Sequence, residues 1–66
     1  MMSKHHIHYD YSQDVAVIFN DGEILVLKDI SDIILSDTGH VLTFKDYYGS
    51  EVISINMDKI KYWRPN

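Results

Sequence analysis

The sequence predicts an all-β domain, and three observations carry that prediction. Apolar and polar residues alternate at a period of two: in Ile7–His8–Tyr9–Asp10–Tyr11, the residues Ile7, Tyr9 and Tyr11 share one face, and His6, His8 and Asp10 share the other. Turn signals recur at a spacing of roughly 8 to 12 residues, at Asn20–Asp21–Gly22, Asp37–Thr38–Gly39 and Asp46–Tyr47–Tyr48–Gly49. Between them lies no helical pattern longer than one turn.

In chain order, Ile7 to Tyr11 reads as a first strand. Val15 to Phe19 is β-branched and aromatic and suits a second. Asp21–Gly22 is the strongest hairpin signal, because this pair readily takes the positive φ angles of tight turns. Glu23 to Ile30 is the return strand; Ser31–Asp32 breaks or bulges it, and Ile33 to Ser36 resumes it. Val41 to Lys45 and Glu51 to Asn56 are further strands. Asn56–Met57–Asp58–Lys59 suits a single helical or 3₁₀ turn with Asn56 as its cap. Ile60 to Trp63 is the last strand, stopped by Pro65.

Successive tight turns make neighbouring strands antiparallel. A small antiparallel meander with a short 3₁₀ turn before its last strand resembles a Src-homology-3-like or Sm-like barrel. The alternative is an open curled sheet that dimerises. Either is a single domain over residues 1–66, with residues 1–6 a candidate disordered lead.

Composition narrows the function classes. The chain has 66 residues, 45% hydrophobic and 24% charged, as folded domains have. It has no cysteine, hence no disulfide, thiolate zinc site or cysteine nucleophile. A net charge of −4 argues against a generically basic nucleic-acid binder. No apolar run approaches the about 20 residues of a membrane span or the about 7 of a signal peptide, so the expected location is cytoplasmic, away from membranes. There is no Gly-x-Ser-x-Gly elbow or phosphate-binding glycine loop, and so small a domain leaves little room for a pocket. The expectation is a protein that is not an enzyme and carries no cofactor.

Size then becomes an argument for self-association. A chain near 60 residues buries only roughly 60% of its unfolded surface, and domains this small lean on disulfides, metals, oligomers or exceptional packing. Val15–Ala16–Val17–Ile18–Phe19 and Ile24–Leu25–Val26–Leu27 are apolar on both faces, although a single small sheet buries only one. Ile18, Leu25 and Leu27 are therefore candidates for an exposed patch that forms a homo-oligomer interface.

Three groups of residues suggest chemistry. His6 and His8, with His5 beside them, project from one face and are weak metal candidates; Asp10 would be the third ligand that a catalytic zinc requires. Because one segment supplies every ligand, the expectation is a solvated polar face with no metal. Tyr47, Tyr48, Tyr62 and Trp63, interleaved with Lys59, Lys61 and Arg64, form the second group. Those three cations give residues 59–66 a charge of +3, while residues 1–58 carry −7. Tyr, Trp and Arg are the usual anchors of protein interfaces, so this group is the candidate surface for an unidentified protein partner. Stacking aromatics beside cations also bind single-stranded nucleic acid, which is the alternative. The third group is the carboxylates, eight Asp and two Glu, mostly at turns. Their number allows a further alternative, an acidic inhibitor that docks on a basic host protein.

Val17–Ile18–Phe19–Asn20–Asp21–Gly22, then Gly49, then Ile55–Asn56–Met57–Asp58–Lys59–Ile60–Lys61–Tyr62–Trp63 resembles a pattern in short uncharacterised β-meander proteins of Gram-positive bacteria and their phages. The resemblance spans roughly residues 15–63 and excludes the His-rich strand. It implies a small accessory protein, often prophage-borne, and defines no catalytic or binding residue. The combined expectation is a non-enzymatic protein–protein interaction module acting as a homo-oligomer.

Overall fold

The turns organise the fold, and each is built on the same local plan. Phe19 and Glu23 close the first: the Gly22 amide donates to the Phe19 carbonyl (2.9 Å), and the Phe19 amide donates to the Glu23 carbonyl (2.9 Å). Gly22 sits at φ +92°, a conformation that costs a residue with a Cβ about 1–2 kcal/mol. The Asp46–Gly49 turn repeats the plan, with the Gly49 amide on the Asp46 carbonyl (3.0 Å) and Gly49 at φ +85°. Asp46 reinforces it by accepting the Tyr48 and Ser50 amides on one carboxylate oxygen, both at 2.9 Å.

A computed structural model describes residues 6–66. The strands are β1 (His6–Phe19), β2 (Ile24–Leu35), β3 (Val41–Asp46), β4 (Glu51–Asn56) and β5 (Ile60–Pro65), with a 3₁₀ turn over Met57–Lys59 before β5. All pairings are antiparallel, in the order β4-β3-β2-β1-β5. The architecture is thus all-β, an open curled sheet. Among the described residues no ladder joins β4 to β5, so the sheet does not close into a barrel. The candidate disordered lead falls outside the described residues except for His6, which opens β1.

The two strands expected over Ile7–Tyr11 and Val15–Phe19 are one strand, β1. Its register against β2 shifts between His8 and Gln13 and again before Val15, so the polar stretch between them bulges instead of ending the strand. Of the break or bulge expected at Ser31–Asp32, the structure has the bulge, within a continuous β2. Asp29 just before it has φ 56°, a left-handed conformation that Asp tolerates better than most residues. Two bonds hold it there: its amide donates to Asp14 (3.2 Å), and its carbonyl accepts from the Tyr47 amide (2.9 Å). Asn56 precedes the 3₁₀ turn in extended conformation, but its side chain makes no capping bond. β5 runs on to Pro65, opposite Val15, which an edge strand permits.

The bulges divide the sheet into two wings. In the N-terminal wing, the leading part of β1 pairs with the trailing part of β2, followed by β3 and β4. In the C-terminal wing, the trailing part of β1 lies between the leading part of β2 and β5. One core joins them: Val15, Val17, Leu27 and Ile60 from the C-terminal wing pack in a single cluster with Ile30, Ile33, Leu42, Phe44 and Ile55. Burying each of these side chains contributes roughly 1.5–3 kcal/mol.

The expected patch of Ile18, Leu25 and Leu27 needs correction. A two-residue turn centred on Asp21–Gly22 would set Ile18 opposite Leu25. The observed loop holds three residues, Asn20, Asp21 and Gly22, so Ile18 opposes Ile24, Val17 opposes Leu25, and Val15 opposes Leu27. That single-residue shift turns Leu25 and Leu27 toward the core, where Leu27 is buried and Leu25 packs against the cluster. Ile18 stays on the outer face, with Ile24 and Val26 as its companions.

Candidate functional site

The outer face of the C-terminal wing follows from this register. Residues directly opposite one another in a ladder share a face. The first row across the wing is Ile24–Ile18–Tyr62, and the second is Val26–Ala16–Arg64. Ile18 and Ala16 lie on the middle strand and are buried beneath their neighbours, although neither belongs to the core cluster. The flanking side chains are open: Ile24 is 61% exposed, Tyr62 50% and Val26 43%. At the far end of this face, Lys28 Nζ donates to Asp14 Oδ2 (3.1 Å). The Asp29 amide, with Lys28 adding, holds the Asp14 carboxyl below its usual range. Arg64 donates only to the carbonyl of Pro65 at 3.5 Å, and among the described residues no carboxylate pairs with it. At the opposite end an open cleft of about 350 Å³ is lined by Phe19, Asn20, Asp21, Glu23, Asp58 and Lys59.

The outer face of the N-terminal wing is mostly polar, with Ile34 in its rows and Val52 on β4 44% exposed. Its rows are His8–Asp32–Lys45–Glu51 and His6–Ile34–Thr43–Ser54. Asp32 Oδ1 accepts from both His6 Nε2 (2.8 Å) and His8 Nδ1 (2.9 Å). The single Ser31 hydroxyl proton is shared between Asp32 Oδ2 (2.9 Å) and the Asp46 carbonyl (2.7 Å). The His8 hydrogen bond, supported by those of His6 and Ser31 and opposed by desolvation, lowers the Asp32 carboxyl to about 2. Across the ladder from β3 to β4, Thr43 Oγ1 and Ser54 Oγ lie 2.8 Å apart, and Ser54 also donates to Glu51 (3.0 Å).

The partner of His6 and His8 is therefore Asp32 on the neighbouring strand, not Asp10 on their own. Among the described residues no group of three or more His, Asp or Glu is arranged to hold a metal ion, and His5 lies outside them. The aromatic and basic group is not one surface. Tyr47 and Tyr48 stack edge to face on the β3–β4 turn, centroids 5.5 Å apart, while Lys61, Tyr62, Trp63 and Arg64 lie on β5, with β2 and β1 between. Lys59 ends the 3₁₀ turn that leads into β5. Trp63 opposes Val17 and packs against the core, whereas Tyr62 and Arg64 face outward. Neither Asp32 as the histidines' partner nor the Ile24–Val26 face was found by sequence reasoning; the first depends on the bulges of β1 and the second on the length of the first loop. Comparison with known proteins finds no match among protein-family models, curated proteins or solved structures. No helix of the described residues is long and apolar enough to cross a membrane.

Proposed function

We propose that this chain is a non-enzymatic protein–protein interaction module that acts as a homo-oligomer, of the small accessory kind found in prophages. One observation carries the reading: the buried core gathers on the inner face, with Ile7 at its edge 40% exposed, yet Ile24, Val26 and Tyr62 remain open on the outer face of the C-terminal wing. Exposed sheet faces of monomers are normally polar, and an apolar patch on so small a domain marks an interaction surface. Tyr62 and Arg64 at its rim are residue types that anchor interfaces. Covering the patch would also add the apolar burial that a chain of this size lacks.

Light scattering behind size exclusion, across the micromolar range, tests the proposal. The expected result is a mass above 7.7 kDa that falls on dilution and falls to the single-chain value in Ile24→Asp. The matching change on the other wing, Val52→Asp on β4, is expected to leave the mass unchanged. A mass of 7.7 kDa at every concentration overturns the homo-oligomer.

A further inference from the structure

The leading segment of β1 is held differently from the rest of the sheet. Its ladder to β2 has three pairs, His6 with Ile34, Ile7 with Ile33 and His8 with Asp32. The register then slips: the four residues of β1 between His8 and Gln13 match the single residue Ser31 of β2 between Asp32 and Ile30. β5 pairs with β1 only from Val15 onward, so among the described residues this segment has a neighbour on one edge alone. A short, one-sided ladder beyond a wide bulge is the kind of element that opens locally while the rest stays folded. Ile33, which is 2% exposed, lies beneath it opposite Ile7.

We infer that His6, Asp32 and His8 form a proton-operated clasp, which fastens the leading segment of β1 to β2 as the pH falls below neutrality. Both imidazoles donate to the same oxygen, Asp32 Oδ1, at 2.8 and 2.9 Å. That geometry fixes the tautomers, with the proton on Nε2 of His6 and on Nδ1 of His8, because an ionised carboxylate only accepts. Histidine changes charge between about pH 8 and 5, and a bond from an imidazolium to a carboxylate is roughly twice as strong as one from a neutral ring. Protonation therefore tightens the contact without any rearrangement.

The other charged groups set the limit of the effect. Lys45 of β3 lies across from Asp32 on its other side, and Glu51 of β4 lies beyond Lys45. Asp10 is exposed on the bulging stretch of β1. The first imidazolium meets a carboxylate not bonded to Lys45 and is favoured; the second must share that oxygen with a like charge.

Hydrogen exchange followed by NMR, together with histidine ring titration, tests the clasp on the intact chain. Protection of the amides in the His6–His8 and Asp32–Ile34 ladder is expected to rise roughly two- to threefold between about pH 7.5 and 5.5, relative to the β3–β4 ladder. The rise is expected to vanish in Asp32→Asn and to be roughly halved on a logarithmic scale in His6→Gln or His8→Gln. Should Asp32→Asn fail to fold, the two glutamine variants decide. Protection that stays constant or falls on acidification, or that rises equally in Asp32→Asn or in both glutamine variants, overturns the inference.

Discussion

The two wings share a core and a chain direction, yet their outer faces are opposites. On the N-terminal wing the outer rows hold His6, His8, Asp32, Lys45, Glu51, Thr43 and Ser54 with Ile34 among them, and side-chain bonds join His6 and His8 to Asp32, Thr43 to Ser54 and Ser54 to Glu51. On the C-terminal wing the outer rows are Ile24–Ile18–Tyr62 and Val26–Ala16–Arg64. Folding demands an apolar inner face on both wings and places no such demand on either outer face. The polar wing shows what this chain does with a surface left to water. The apolar wing is the departure from that pattern, and a second copy of the chain is the reading proposed for it.

The sharpest way to probe the comparison is to remove what the wings share. Phe44→Ala empties the centre of the common cluster, where Phe44 has no exposure, and is expected to cost about 3–5 kcal/mol. For a chain of this length that approaches the whole stability, so circular dichroism should show both wings unfolded or melting together. Outer-face changes should separate the wings instead. Val26→Lys is expected to weaken self-association by about 1.5–3 kcal/mol, read as a shift in the dissociation midpoint. Unfolding of the dilute single chain should change by less than about 0.5 kcal/mol, because Val26 is already half in water.

Ser31→Ala tests the seam between the wings. The hydroxyl is buried and serves the Asp46 carbonyl, so its loss is expected to cost about 1–2 kcal/mol in urea denaturation. The smallest effect belongs to the polar face. Asp32 is ionised in the folded chain down to about 2, below its ordinary value, so its bonds stabilise the fold at pH values above that ordinary value. The contribution is lost as the pH falls from about 4 toward 2, and with solvent screening it amounts to about 0.5–1 kcal/mol. Asp32→Asn should flatten stability over that interval, as measured by urea midpoints at successive pH values.

Much of the fold was legible because local chemistry decides it. Each Gly-ended turn marks a reversal, β4 spans Glu51–Asn56 as the turn signal before it indicates, and a single short turn precedes β5. What was not legible is facing. In Ile24–Leu25–Val26–Leu27 every residue is apolar, so the pattern itself does not say which pair turns inward. Only the third loop residue at Asn20–Asp21–Gly22 decides it, and the dipeptide Asp21–Gly22 suits a two-residue loop equally well. The Asp32 site was hidden for a related reason. Two histidines at alternate positions name their face, but their partner comes from a strand whose register depends on two bulges. The polar Ser12–Gln13–Asp14 stretch looks like a loop to any reading by composition, yet it remains extended strand.

The position of β5 has a kinetic consequence. β1 to β4 form a meander in which each strand pairs with the next, so those contacts close over short loops. β5 instead returns to β1, pairing Pro65 with Val15 across most of the described chain. Long loops cost more entropy to close and are closed late. The meander is therefore expected to make up the folding nucleus, with β5 docking after the rate-limiting step. Trp63→Leu on β5 should then speed unfolding and leave the folding rate nearly unchanged, whereas Phe44→Leu on β3 should slow folding.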